Sequence, residues 1–136
     1  MISANPRGVY WTLIGVVTLA GAAIADEREF PDAFEVCTSC HSYERDEPAL
    51  VGPPLWGVVG RRIASVEGYD YSPAMKAITG TWDRATLDRF LTNTKAFVPG
   101  AKMEMGGVRS AADRAKVIDF LERLRPGEKD EANDDD

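Results

Sequence analysis

One histidine and two cysteines are all the imidazole and thiol that this chain of 136 residues contains. A zinc ion that took all three would still lack a fourth nitrogen or sulfur ligand, which is an objection to an ordinary structural zinc site. Apolar and polar residues nowhere alternate over a useful length, which argues against a sheet, and no internal repeat or domain linker is present. Positive charge is also short. Lys and Arg number 16 against 22 Asp and Glu, for a formal charge of −6. That balance argues against nucleic acid as a partner, because phosphate backbones are bound by clustered cations. The length leaves room for one ordinary domain.

The two ends differ from the middle. Residues 9 to 25 carry no charge, Arg7 and the chain amine precede them, and Ala23, Ile24 and Ala25 supply a small-x-small pattern just before Asp26, Glu27, Arg28 and Glu29. This is the layout of a signal peptide over 1–25, cleaved after Ala25, which predicts a periplasmic protein. The alternative is an uncleaved inner-membrane anchor facing the periplasm, since a run of this length lies near the lower limit of about 17 residues for a bilayer span. Gly15 and Gly21 interrupt it and favour cleavage. At the other end, residues 126–136 hold Glu128, Asp130, Glu131, Asp134, Asp135 and Asp136 against Lys129, with no large apolar residue. An acidic, disordered tail is expected there, following a domain over 26–125.

Within that domain Phe30, Ala33, Phe34 and Cys37 share one helical face, with Pro31 suited to the first turn. From Ser42 to Tyr71 glycine, proline and aromatics dominate, so long regular elements are not expected. Ser72 and Pro73 are suited to start a brief helix over 74–78, and Asp83 to cap another carrying Leu87, Phe90 and Leu91. Pro99 with Gly100 and Gly106 with Gly107 bracket a loop that bears Met103 and Met105. Ser110 and Asp113 have capping-box spacing, with Asp in place of Glu or Gln, before a helix with Val117, Ile118, Leu121 and Leu124 that Pro126 and Gly127 close. The expected fold is a small all-α domain of four to five short helices and long loops.

Cys37, Thr38, Ser39, Cys40 and His41 spell C-x-x-C-H, which puts two thiols and an imidazole on neighbouring helical positions. Three other readings compete: a structural disulfide, a redox-active cysteine pair and a zinc site. No strand–helix alternation surrounds the pair as a thioredoxin-like site requires, and zinc lacks its fourth ligand. The motif is therefore read as covalent attachment of one haem c, with thioethers from Cys37 and Cys40 and His41 as an iron ligand. With both cysteines and the sole histidine used, the second axial ligand falls among Met75, Met103 and Met105. Met75 sits in an expected helix, where a methionine is more often core filler. Met103 in its loop is the preferred ligand and Met105 the alternative.

Taken together, CTSCH at 37–41, GPPLWG at 52–57, Gly60–Arg61, GYDYS at 68–72, Trp82 and VPGAKM at 98–103 make the chain resemble a class I cytochrome c, above all the soluble bacterial members, from about Glu29 to Leu124. The resemblance implies that the Pro53 carbonyl accepts a hydrogen bond from the far nitrogen of His41, and that Arg61, Tyr71 and Trp82 surround or hydrogen-bond the haem propionates. Phe90 departs from the tyrosine found in many relatives, Ala101 from a threonine, and Met105 from an aromatic.

The function this implies is one-electron shuttling between redox proteins outside the cytoplasmic membrane: a membrane electron-transfer complex, an oxidase or a periplasmic dehydrogenase. A monomer that is not an enzyme is expected, in contact with the membrane only if the leader persists. Lys76, Lys95 and Lys102 are the lysines available to ring the haem edge. Two alternatives are a haem-bearing relay subunit of a membrane dehydrogenase or oxidase, and a five-coordinate haem that binds gases or peroxide. The methionine loop and the lack of a second histidine speak against the latter.

Overall fold

The computed structural model describes residues 31–125, so the leader and tail readings, and Phe30, lie outside the described residues. Pro31 leads a 3-10 turn, Asp32–Phe34, straight into the helix α1, Glu35–Thr38. Phe34 is wholly buried, with its ring 4.7 Å from Phe120 and 5.6 Å, edge-on, from Tyr43. That aromatic cluster fastens the chain's entry to the last helix and so sets the position of the cysteines that follow.

The remaining helices begin where short polar side chains satisfy the free amides of a first turn. Ser72 accepts from Met75 N at the start of α2, Pro73–Lys76. This helix is shorter than the 74–78 reading, because Ile78 N reaches only to Met75 O in a tightened last turn. Asp83 accepts from Thr86 N at the start of α3, Arg84–Thr92. Asn93 then leaves helical backbone at φ −157° and ψ 98°, and caps a separate helix, α4, Thr94–Phe97. Ser110 accepts from Asp113 N at the start of α5, Ala111–Arg123. Among the described residues there is no strand, only an isolated bridge between Arg62 and Thr81. The all-α expectation of a few short helices and long loops holds.

Leu87, Phe90 and Leu91 of α3 and Val117, Ile118, Phe120 and Leu121 of α5 are buried in one apolar core. Arg84 pairs with both Asp119 and Glu122 across that contact. Arg114 is mostly buried, meets Asp88 at 3.0 Å and donates to the carbonyls of Val108 and Arg109, which holds the preceding loop against the helix pair. The long stretch between α1 and α2 is organised by scattered backbone bonds. Gly52 N donates to Cys40 O at 2.7 Å, Leu55 N to Ser42 O at 2.8 Å, and Trp82 N to Arg61 O at 2.9 Å.

Candidate cofactor site

Between α1, the loops and the face of α3 lies a cavity of about 380 Å³. Its wall holds all eight residues named from the sequence: Cys37, Cys40, His41, Pro53, Arg61, Tyr71, Trp82 and Met103. Met75 and Met105 border it as well, the first from α2 and the second from the 101–107 loop.

His41 follows the end of α1, where its N–H donates to Cys37 O at 3.0 Å. The ring nitrogen Nδ1 lies 2.7 Å from the Pro53 carbonyl oxygen. A carbonyl can only accept, so Nδ1 carries the proton and Nε2 keeps its lone pair. Burial pushes the imidazole pKa down, the Pro53 bond opposes this, and Arg61 adds to it. The result at neutral pH is an uncharged imidazole with one nitrogen fixed and one able to bind a metal.

Gly52 makes this position possible. A Cβ there would lie 2.3 Å from His41 Cε1, so only glycine lets the loop pass over the ring. No disulfide joins Cys37 to Cys40, so both sulfurs are available for covalent attachment and the disulfide reading lacks its bond. Burial first, opposed by a backbone hydrogen bond and aided by Cys40, raises the Cys37 thiol pKa to about 11. It is therefore protonated and poorly suited to thiolate chemistry. Among the described residues no group of three or more His, Cys, Asp and Glu side chains is arranged to hold a metal ion, so the zinc reading also lacks a site.

Arg61 donates to Pro54 O at 2.6 Å and to Trp56 O at 3.2 Å, tying up the loop that carries Pro53. Burial lowers its pKa while Tyr71 opposes the shift. The Tyr71 hydroxyl accepts from Val66 N, and burial raises its pKa. Trp82 is buried, with its ring 5.0 Å from Phe90, whose other neighbour is Phe97 at 5.9 Å. Phe90 thus brings apolar surface, with no hydroxyl, to the wall.

The methionine loop is anchored on both sides. Thr94 donates its hydroxyl to Met105 O, and Val108 N donates to Leu91 O at 2.7 Å. Lys102, next to Met103, donates to Asp70 O at 2.7 Å and to its carboxylate at 2.6 Å, while Lys76 reaches the other carboxylate oxygen at 3.5 Å. Sequence reasoning missed Gly52, Asp70 and Thr94 as supports. Gly52 had a signal in its place before Pro53 and Pro54; the other two depend on contacts between distant segments.

A volume in the range of small-molecule sites, about 300–1,000 Å³, combines here with aromatic and aliphatic walls, one lone-pair imidazole nitrogen, two thiols and thioether sulfurs. Those donors and that wall fit a large apolar ring system carrying a soft-to-borderline metal.

No family model matches the chain. It is 46% identical over 107 residues to the cytochrome c-type cyt cy of Rhodobacter capsulatus, which covers 79% of this chain and 51% of that protein. It is 43% identical over 99 residues to the cytochrome c2 of Rhodomicrobium vannielii, covering 73% of this chain and 79% of that protein. With the cytochrome c-554 of Methylosinus trichosporium the identity is 38% over 113 residues, covering 82% and 86%. The chain spans about half the length of several curated relatives, cyt cy among them. Identity at this level over most of the length of c2 and c-554 is common descent and not a shared pentapeptide: the chain belongs to the class I cytochrome c family, and its cofactor is one covalently bound haem c.

Proposed function

We propose that this protein carries single electrons between redox proteins outside the cytoplasmic membrane. The observation that supports it most is the state of His41, a neutral imidazole with Nδ1 bonded to Pro53, in one apolar cavity with two thiols and a methionine-bearing loop. When bound, the haem supplies an iron that gains and gives up one electron with no bond to a substrate made or broken. Cys37 and Cys40 would hold the macrocycle through thioethers, and His41, with Nδ1 bonded to Pro53, would ligate through Nε2. Met103 would supply the second protein ligand to the iron, its loop held by the bonds of Lys102 and Thr94. With both ligands supplied by the chain, the iron would offer no position to gases or peroxide, which favours a carrier over an enzyme.

Arg61, Tyr71 and Trp82 would act at the propionates. Their part would be to offset the cost of burying anionic groups, Arg61 by charge and the two aromatics by hydrogen bonding and by excluding water. Export through a cleaved leader over 1–25 fits this role, as does a partner among membrane complexes or periplasmic dehydrogenases. Among the described residues no helix is long and apolar enough to cross a membrane.

Optical spectroscopy tests the ligand set. The oxidised protein is expected to show a sulfur-to-iron charge-transfer band, and the reduced protein no carbon monoxide adduct. Met103→Ala abolishes the band while Met105→Ala and Met75→Ala retain it. A band that survives Met103→Ala, or carbon monoxide binding to the unaltered protein, sinks the assignment.

A further inference from the structure

Three large hydrophobic side chains stand exposed among the described residues: Val36 at 54%, Leu50 at 57% and Val51 at 75%. Isolated exposed hydrophobics are ordinary, but these share one place. Val36 and Val51 line the cavity while more than half exposed, which puts them at its mouth. Leu50 precedes Val51 and its N–H bonds back to Gly52 O at 3.1 Å, while Gly52 N bonds to Cys40 O. The rim they form adjoins the thiol side of the cavity.

The lysines give a weaker competing surface, since intrachain pairing offsets most of their charge, although Lys76 and Lys102 share the single carboxylate of Asp70. Each of the four among the described residues is paired within the chain: Lys76 and Lys102 on Asp70, Lys95 on Glu104, and Lys116 on Asp113. The charges that flank the apolar rim in the chain have the opposite sign. Glu35, Glu44, Asp46 and Glu47 are all exposed, against Arg45, which pairs with Asp46 at 3.6 Å.

We infer that the electron-transfer partner of this protein docks on the Val36, Leu50 and Val51 rim with an apolar contact bordered by basic side chains. This rests on the electron-carrier reading above. Burying the rim supplies the short-range attraction, and the exposed carboxylates that flank it in the chain steer a cationic face toward it. An acidic partner face would meet those carboxylates, on a protein of formal charge −6.

The test uses reduced, full-length holoprotein and two one-electron oxidants in stopped flow. Tris(phenanthroline)cobalt(III) is cationic and apolar; hexacyanoferrate(III) is anionic and hydrophilic. Each takes one electron from the ferrous protein, giving cobalt(II) or iron(II) and ferric protein, and no proton moves. Oxidation by the cobalt complex is expected to slow severalfold between about 10 mM and about 1 M salt, where the screening length falls from about 30 Å to about 3 Å. The doubly substituted Leu50→Lys, Val51→Lys protein loses roughly tenfold in rate with the cobalt complex at low salt and gains with hexacyanoferrate. Ala112→Lys, an exposed change outside the cavity wall, moves either rate less than about twofold.

Rim substitutions that leave both rates unchanged overturn the inference, as does an Ala112→Lys effect of about threefold or more, the share that one added charge has of a tenfold loss for two, which makes net charge the cause. So does a hexacyanoferrate rate that falls in Lys76→Gln and Lys102→Gln, which returns docking to the lysines. If the reduced protein passes an electron to neither oxidant, it is the carrier reading itself that fails.

Discussion

The helix pair α3 and α5 and the long segment 39–72 face the same cavity but are built on different principles. The pair buries Leu87, Phe90, Leu91, Val117, Ile118, Phe120 and Leu121, whereas the segment contributes only Val58 and Ile63 as fully buried hydrophobic residues. Capped helices meeting on apolar stripes have a core of their own. Loops pinned by single backbone bonds such as Gly52 N to Cys40 O and Leu55 N to Ser42 O lack one, and turn Leu55, Tyr71 and Pro53 toward a cavity instead. The cofactor therefore serves as core material for one half of the molecule and as a ligand for the other.

The largest effect expected from that contrast comes from removing the covalent anchor. A Cys37→Ala, Cys40→Ala protein is left without haem and, at this size, without enough buried surface to fold. Circular dichroism should show most of the helix signal lost, and any residue of amide protection from hydrogen exchange should lie in α3 and α5. Native-like helix content without haem would break the comparison, because the loop segment would then be self-supporting.

A smaller and more local effect is expected at Gly52. An alanine there puts its Cβ 2.3 Å from the His41 ring, so ring and loop must move apart. Overpacking of this kind costs about 1–3 kcal/mol. The holoprotein should melt earlier and its haem absorption should shift, since the bond between His41 and Pro53 is displaced along with the ring. Exchange protection in α5 should hold at temperatures below the melt. A Gly52→Ala protein with unaltered haem absorption would show that the close approach is not used to seat His41.

The same contrast explains what could be read in the sequence. Every helix that carries its own cap and stripe was legible: Ser72, Asp83 and Ser110 all cap as their spacing predicts. So was the C-x-x-C-H turn, because attachment chemistry is confined to five consecutive residues. The break at Asn93 was not, since Leu91 through Val98 carries no glycine or proline to mark it and the new cap depends on one residue leaving helical backbone. Asp70 was illegible for another reason. Its partners lie 6 and 32 residues away, and nothing in an exposed aspartate beside two tyrosines announces that two lysines converge on it.

Asp70 yields the smallest effect and the one that separates the two halves by pH. Hydrogen bonding to Lys102 first, and the charges of Lys102 and Lys76 after it, hold its carboxyl pKa below the ordinary value. A carboxylate whose folded pKa is depressed stabilises the fold above its unfolded pKa, about 3.9, and that contribution disappears as pH falls through the folded value. Asp70 is exposed, so salt screens the effect and it is modest. Asp70→Asn is therefore expected to lower the denaturant midpoint by a constant small amount from about pH 7 down to about pH 5, with the gap to the unaltered protein closing below about pH 4. The carboxylate tethers the methionine loop and α2, so the loss should appear as faster amide exchange in 101–107, with α3 and α5 unchanged. Faster exchange in α5 instead would mean that the loop and the helix pair open as one unit, and the division between them would be a matter of packing alone.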